Sequence, residues 1–229
     1  MRSAFASTLV IASTGLAGPL TAQNQPSDII VTANREDAPS TTESVRAISE
    51  AVDGTLPRFE KPVCPGVVGL PTHLAAGVIA RMRTTIAEAG VDLAAEDCGA
   101  NLTLIVADDG SELIDRLALE SPPLFASLSA QDIHQLTSAP GPVWSWHTTE
   151  PKRADGAPVV RNSGGGSDTY MVQGAKMSRL ASPIRMDVSL GFVVIGTAAI
   201  DGLEVGQIAD FTVMRGLAPT RDPRRGAVG

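Results

Sequence analysis

The sequence predicts a single α+β (or α/β) domain, a small mixed sheet with packed helices, behind a disordered N-terminal leader. Three observations predict it. The run Asn101 to Ala107 (NLTLIVA) is apolar on both faces, as in a strand covered on both sides. Helical-period segments precede it, follow it and recur near the C-terminus. Strand-like runs at Val143–His147 and between Ile184 and Ile195 supply the remaining sheet, so strands and helices are interleaved along the chain.

Taken in order, residues 1–22 read as a cleavable signal peptide. Met1-Arg2 gives a positive start, and Phe5 to Leu20 is uncharged with an apolar centre at Leu9-Val10-Ile11-Ala12. Gly18-Pro19 breaks the helix before the small residue Ala22, after which cleavage is expected. A spanning helix needs about 20 continuous apolar residues. This stretch is too short and too rich in Ser, Thr and Gly, and no later stretch is long enough either.

Residues 23–58 form the polar leader, without sustained periodicity. The folded domain is expected over 59–218. Its opening segment is Val63-Cys64-Pro65-Gly66-Val67-Val68-Gly69-Leu70. Thr72 offers an N-cap for a helix carrying Leu74, Val78, Ile79, Met82 and Ile86, which Gly90 stops. After the central strand, Asp108-Asp109-Gly110 turns the chain into a second helix with Leu113, Ile114 and Leu117, ended by Pro122-Pro123. Ser129 caps a short third helix with Ile133 and Leu136, and Pro140-Gly141-Pro142 closes it.

Val143 to His147 alternates, placing Trp144 and Trp146 on one face and His147 on the other. Residues 149–177 are predicted as a long polar, flexible loop. Ile184–Val188 and Gly191–Ile195 read as strand, Leu203–Leu217 as the closing helix, and 219–229 as a tail.

The two cysteines, Cys64 and Cys98, lie in a chain expected to reach an oxidising compartment, where such pairs oxidise. A bridge between them closes a loop of roughly 35 residues, worth on the order of 3–4 kcal/mol. With no CxxC and three scattered histidines they make a poor zinc set. No metal and no cofactor are expected.

Composition narrows the function classes. A net charge of −7 with no long Lys/Arg run argues against nucleic acid, and 3% aromatic content leaves few residues to stack on bases or sugars. HExxH, GxSxG, GxxxxGK[ST] and GxGxxG are all missing. His73, His134 and His147 are far apart in sequence. Ser167 sits in the Gly-rich part of the expected loop, where a nucleophile is poorly oriented. Asp108 and Asp109 are explained by turn and capping demands, and Trp144/Trp146 by core packing or a surface staple ahead of a ligand platform. No catalytic residue is assigned.

One leader segment, Asp28-Ile29-Ile30-Val31-Thr32-Ala33-Asn34-Arg35, resembles the TonB box that follows the signal peptide in TonB-dependent outer-membrane receptors. The resemblance implies strand pairing of Asp28, Ile29, Ile30, Val31 and Thr32 with a periplasmic TonB-type protein. It covers about eight residues, which read equally as a β-prone patch in a disordered tether or as a strand that joins the domain's own sheet. A receptor barrel of some 22 strands at about 10 residues each needs more chain and more aromatics than are present.

The chain as a whole resembles a group of short, uncharacterised exported proteins of alphaproteobacteria. The shared features are the IIVTA-type leader, Val63–Leu70, Cys98 followed by Asn101-Leu102, Pro140–Val143, and Gln207–Phe211 before Met214–Ala218. That resemblance implies an exported domain with a disulfide and carries no activity.

Three function classes follow. The first is a non-enzymatic periplasmic or secreted interaction module linked to TonB through the leader. The second is a degenerate hydrolase or peptidase-like enzyme with a site assembled from distant residues. The third is an envelope structural or accessory protein.

Overall fold

The computed structural model describes residues 40, 43, 48, 49, 51, 55–139, 141–162, 169–172 and 183–220. The signal-peptide reading and the TonB-box-like segment Asp28–Thr32 lie outside the described residues.

The order of elements is β1 (Pro65–Val68), α1 (Thr72–Glu88), β2 (Leu102–Ala107), α2 (Gly110–Glu120), a 3-10 turn (Pro122–Phe125) and α3 (Ala130–Thr137). There follow β3 (Val143–Arg153), the short hairpin β4 (Val160–Asn162) and β5 (Thr169–Met171), β6 (Ile184–Gly196) and α4 (Val205–Gly216). Four strands form one mixed sheet in the order β1-β2-β6-β3. The first three are parallel, and β3 joins β6 antiparallel.

Strand alternation sends two sets of side chains to opposite faces. Leu102, Leu104 and Val106 of β2, with Val193 and Ile195 of β6, meet Val78, Met82 and Ile86 of α1 and Ile208, Ala209 and Val213 of α4. On the other face Phe192 and Val194 pack with Trp144, Trp146, Ile114 and Phe125. The sheet is therefore the middle layer of three. Trp146 is stacked between Phe125 and Phe192, with ring centroids 4.9 and 4.8 Å away, so the tryptophan pair belongs to the core.

The helix ends follow local chemistry. Asp109 caps α2, its Oδ1 accepting from the Glu112 amide at 3.0 Å. Ser129 and Asp132 form a reciprocal capping box on α3. Gly90, at φ 73°, ends α1 in the left-handed region. Two details differ from expectation at the start of α1. Pro71, not Thr72, occupies the N-cap position and makes no side-chain cap bond. Leu74, on the first turn, is exposed and stands outside the buried stripe Val78, Met82 and Ile86.

The chain between 149 and 177 differs more. Residues 149–153 are not loop; they extend β3 and pair with 184–188, and Val160–Asn162 and Thr169–Met171 form the β4–β5 hairpin. Their polarity reflects a position at the sheet edge rather than absence of structure. β6 likewise runs unbroken through Ser189, where the register shifts opposite Thr148/Thr149 and the Ser189 hydroxyl donates to the Thr148 carbonyl at 3.0 Å. The outer edge of β3 is plugged by Ser127, whose hydroxyl donates to the His147 carbonyl (3.0 Å) and accepts from the Thr149 amide (3.1 Å).

Backbone pairing also reaches past both expected boundaries of the domain: Ser49, in the expected leader, bridges Thr220, in the expected tail, in antiparallel sense. Arg58 pairs in parallel with Asp187, its carbonyl accepting from the Val188 amide at 2.8 Å.

Candidate functional site

The chemistry-bearing side chains fall into three groups, each set by a different part of the fold.

The first group is the junction of β1 and β2. Cys64 and Cys98 are joined, with Cα atoms 6.0 Å apart. Beside the bridge, Asn101 clamps the same two segments. Its Oδ1 accepts from the Cys64 amide at 2.7 Å, its Nδ2 donates to the Pro62 carbonyl at 3.1 Å, and its own amide donates to the Cys64 carbonyl at 2.9 Å. The Cys64 pairing was readable from composition and compartment. The Asn101 clamp was not, because nothing local marks an Asn before a strand as a long-range partner.

The second group lies at the carboxyl ends of the parallel strands. After β1 the chain leaves for one face of the sheet through α1, and after β2 it leaves for the other through α2. Such a divergence between neighbouring parallel strands is where open α/β sheets place ligands. The turn after β1 hugs β2 closely: a Cβ on Gly69 (φ +88°) would lie 2.0 Å from the Val106 carbonyl oxygen. His73, on the first turn of α1, and Asp108, just past β2, are both exposed at this end. Asp109 is committed to its cap, and its hydrogen bonds from the Glu112 amide and the Ser111 hydroxyl hold its carboxyl below the usual range.

The third group is a polar seam between α4 and the opposite half of the sheet. His147 is buried, its Nε2 2.9 Å from the Gly216 carbonyl oxygen at the last residue of α4. Burial, opposed by that hydrogen bond and reinforced by the nearby Arg215 charge, pushes its pKa down to about 4. The imidazole is therefore neutral at pH 7, with Nε2–H as donor. Arg215 Nη2 donates to the Ser145 hydroxyl at 3.0 Å. Further along the helix pair, Arg81 holds Asp210 in a two-toothed ion pair at 2.8 Å per contact, and the Thr85 hydroxyl donates to Asp210 at 2.6 Å.

The structure does not gather His147 with Asp108 and Asp109. His147 is level with Gly191 and Ala107 with Gly196, five residues apart on β6. That is about 16 Å along the strand direction, with β6 lying between them. His134 is exposed on α3. Ser167 lies outside the described residues. Among the described residues no group of three or more His, Cys, Asp and Glu is placed to hold a metal ion. No helix among them is long and apolar enough to cross a membrane.

No family model, curated protein or solved structure matches this chain.

Proposed function

We propose that the protein is an exported, non-enzymatic interaction module of the cell envelope that docks a periplasmic TonB-type protein through Asp28–Thr32. The observation that carries the non-enzymatic part is where the reactive side chains go. Asn101 ties two strands together, Asp109 caps α2, Asp210 bridges α4 to α1, and His147 holds the end of α4. Each is committed to the scaffold, and the two groups that contain histidine lie at opposite ends of the sheet.

The Cys64–Cys98 bridge supports export, because such bridges persist in oxidising compartments. The resemblance of the leader to a TonB box supports strand pairing as the docking mode. Ile29, Ile30 and Val31 favour extended backbone, and an added strand gains its affinity from main-chain hydrogen bonds. Capture of the mature protein by the C-terminal domain of a TonB-type protein tests this. Loss of capture on deleting residues 28–35 is the expected result; equal recovery of both forms contradicts it.

A second reading, a hydrolase-like enzyme, is favoured by one observation only. His73 and Asp108 are exposed at the divergence of β1 and β2, where a substrate crevice would form.

A further inference from the structure

We propose that His147 and the Gly216 carbonyl form an acid-sensitive latch that holds the C-terminal end of α4 on the sheet.

The last carbonyls of a helix have no intrahelical donor. In α4 the Gly216 carbonyl points down onto the sheet instead of to solvent, and two glycines make that approach sterically open. A Cβ on Gly191, the residue of β6 level with His147, would lie 2.8 Å from the Gly216 carbonyl oxygen. A Cβ on Gly216 itself would lie 2.3 Å from Leu102 Cδ1. The Pro142 carbonyl accepts from the Gly196 amide, so alternation makes His147–Gly191 a non-hydrogen-bonded pair, with Cα atoms about 4.5 Å apart. The imidazole therefore stands beside the bare glycine and meets the carbonyl seated above it.

Protonation changes this contact from a satisfied neutral donor into a buried cation. The groups around it do little to receive that charge. From α4 comes the Arg215 guanidinium, which repels it. Gly191 faces it from β6, the Phe59 ring lies against that glycine, and Leu102 of β2 lies against Gly216. Its neighbour on the same face of β3 is Ser145, already bonded to Arg215. Only the partial negative charge at the end of α4 favours the cation.

The folded-state pKa lies below the ordinary value of 6.5. The latch therefore contributes fully above pH 6.5 and is lost as pH falls from there through about 4. When it opens, the imidazole charges and the last turn of α4, Val213 to Leu217, lifts. The rest of the helix stays down through Arg81–Asp210 and through Gly77, whose Cβ position is 3.4 Å from Val205.

Amide hydrogen exchange on the mature, disulfide-intact protein, corrected for intrinsic rates, tests this between pH 7.5 and 4.5. The expected result is a fall in protection of roughly fiftyfold at the Gly216 and Leu217 amides, from the gap between the two pKa values. Leu104 and Val193, in the middle of the sheet, keep their protection over the same range. In His147→Gln, which retains a neutral side-chain N–H but cannot titrate, the fall at Gly216 and Leu217 disappears. An equal fall in His147→Gln, or a fall shared by Leu104 and Val193, overturns the latch. Should the variant not fold, the ring resonances of His147 in the wild-type protein decide. A ring that stays neutral down to pH 5 while protection at Leu217 declines from pH 6.5 supports it; ring protonation near 6.5, or protection at Leu217 unchanged between pH 7.5 and 4.5, overturns it.

Discussion

Replacing Cys64 and Cys98 together by alanine removes a cross-link with a sequence separation of 34. Chain-entropy arguments assign a loop of that length about 4 kcal/mol at 25 °C. The structure shows why most of that loss belongs to the unfolded chain. Asn101 still joins the Cys64 segment to the start of β2 through its amide and side chain, so the native junction keeps its geometry. Cys64 is buried, and removing its sulfur adds a small cavity worth about 1 kcal/mol. The sum, about 5 kcal/mol, is a large share of the roughly 5–15 kcal/mol typical of a domain.

Urea unfolding followed by tryptophan fluorescence measures it. Both tryptophans, Trp144 and Trp146, sit in the core on the α2 side of the sheet and report global unfolding. The double variant should unfold at markedly lower urea with a steeper denaturant dependence, because the unlinked chain exposes more surface. A loss under about 1 kcal/mol, or an unchanged slope, would refute the reasoning that the bridge acts through the unfolded state.

The remaining predictions concern packing around glycines. Gly110→Ala places a Cβ 2.3 Å from Trp144 Cζ3 and 3.0 Å from a Val194 methyl, inside a buried cluster. It should cost about 1–3 kcal/mol in the same urea assay. Gly99→Ala meets nothing within 4 Å and has no positive φ, so it should change the midpoint little. Equal effects from the two would contradict the packing described for the Trp144 side of the sheet.

Much of the scaffold was legible because it is written in local signals. The α1 stripe Val78, Met82 and Ile86, the double-faced apolarity of β2, and the Asp109 and Ser129 caps each depend on residues within a turn or two of one another. The alternation that set Trp144 and Trp146 against His147 is equally local. What escaped was set by tertiary context. The extension of β3 through Thr149–Arg153 is polar because it lies at an edge, and its pairing with 184–188 leaves no periodic trace. Ser189 looked like a break between strands and is a register shift within one.

The His147 seam depends on residues 69 apart in sequence and on two glycines whose role is closeness. Gly191 inside an apolar strand did carry a signal, since glycine there often marks another backbone approaching. The leader remains a matter of sequence resemblance, and its Asp28–Thr32 segment lies outside the described residues.

The proposed export and the Cys64–Cys98 staple are tested together by one mass measurement. The most direct test is the intact mass of the full-length product, recovered from the envelope and medium fractions and measured with and without reduction. The account predicts a chain beginning at or within a residue or two of Gln23, about 2 Da lighter before reduction than after. A full-length chain retaining Met1 in the cell interior, with both thiols free, would contradict it.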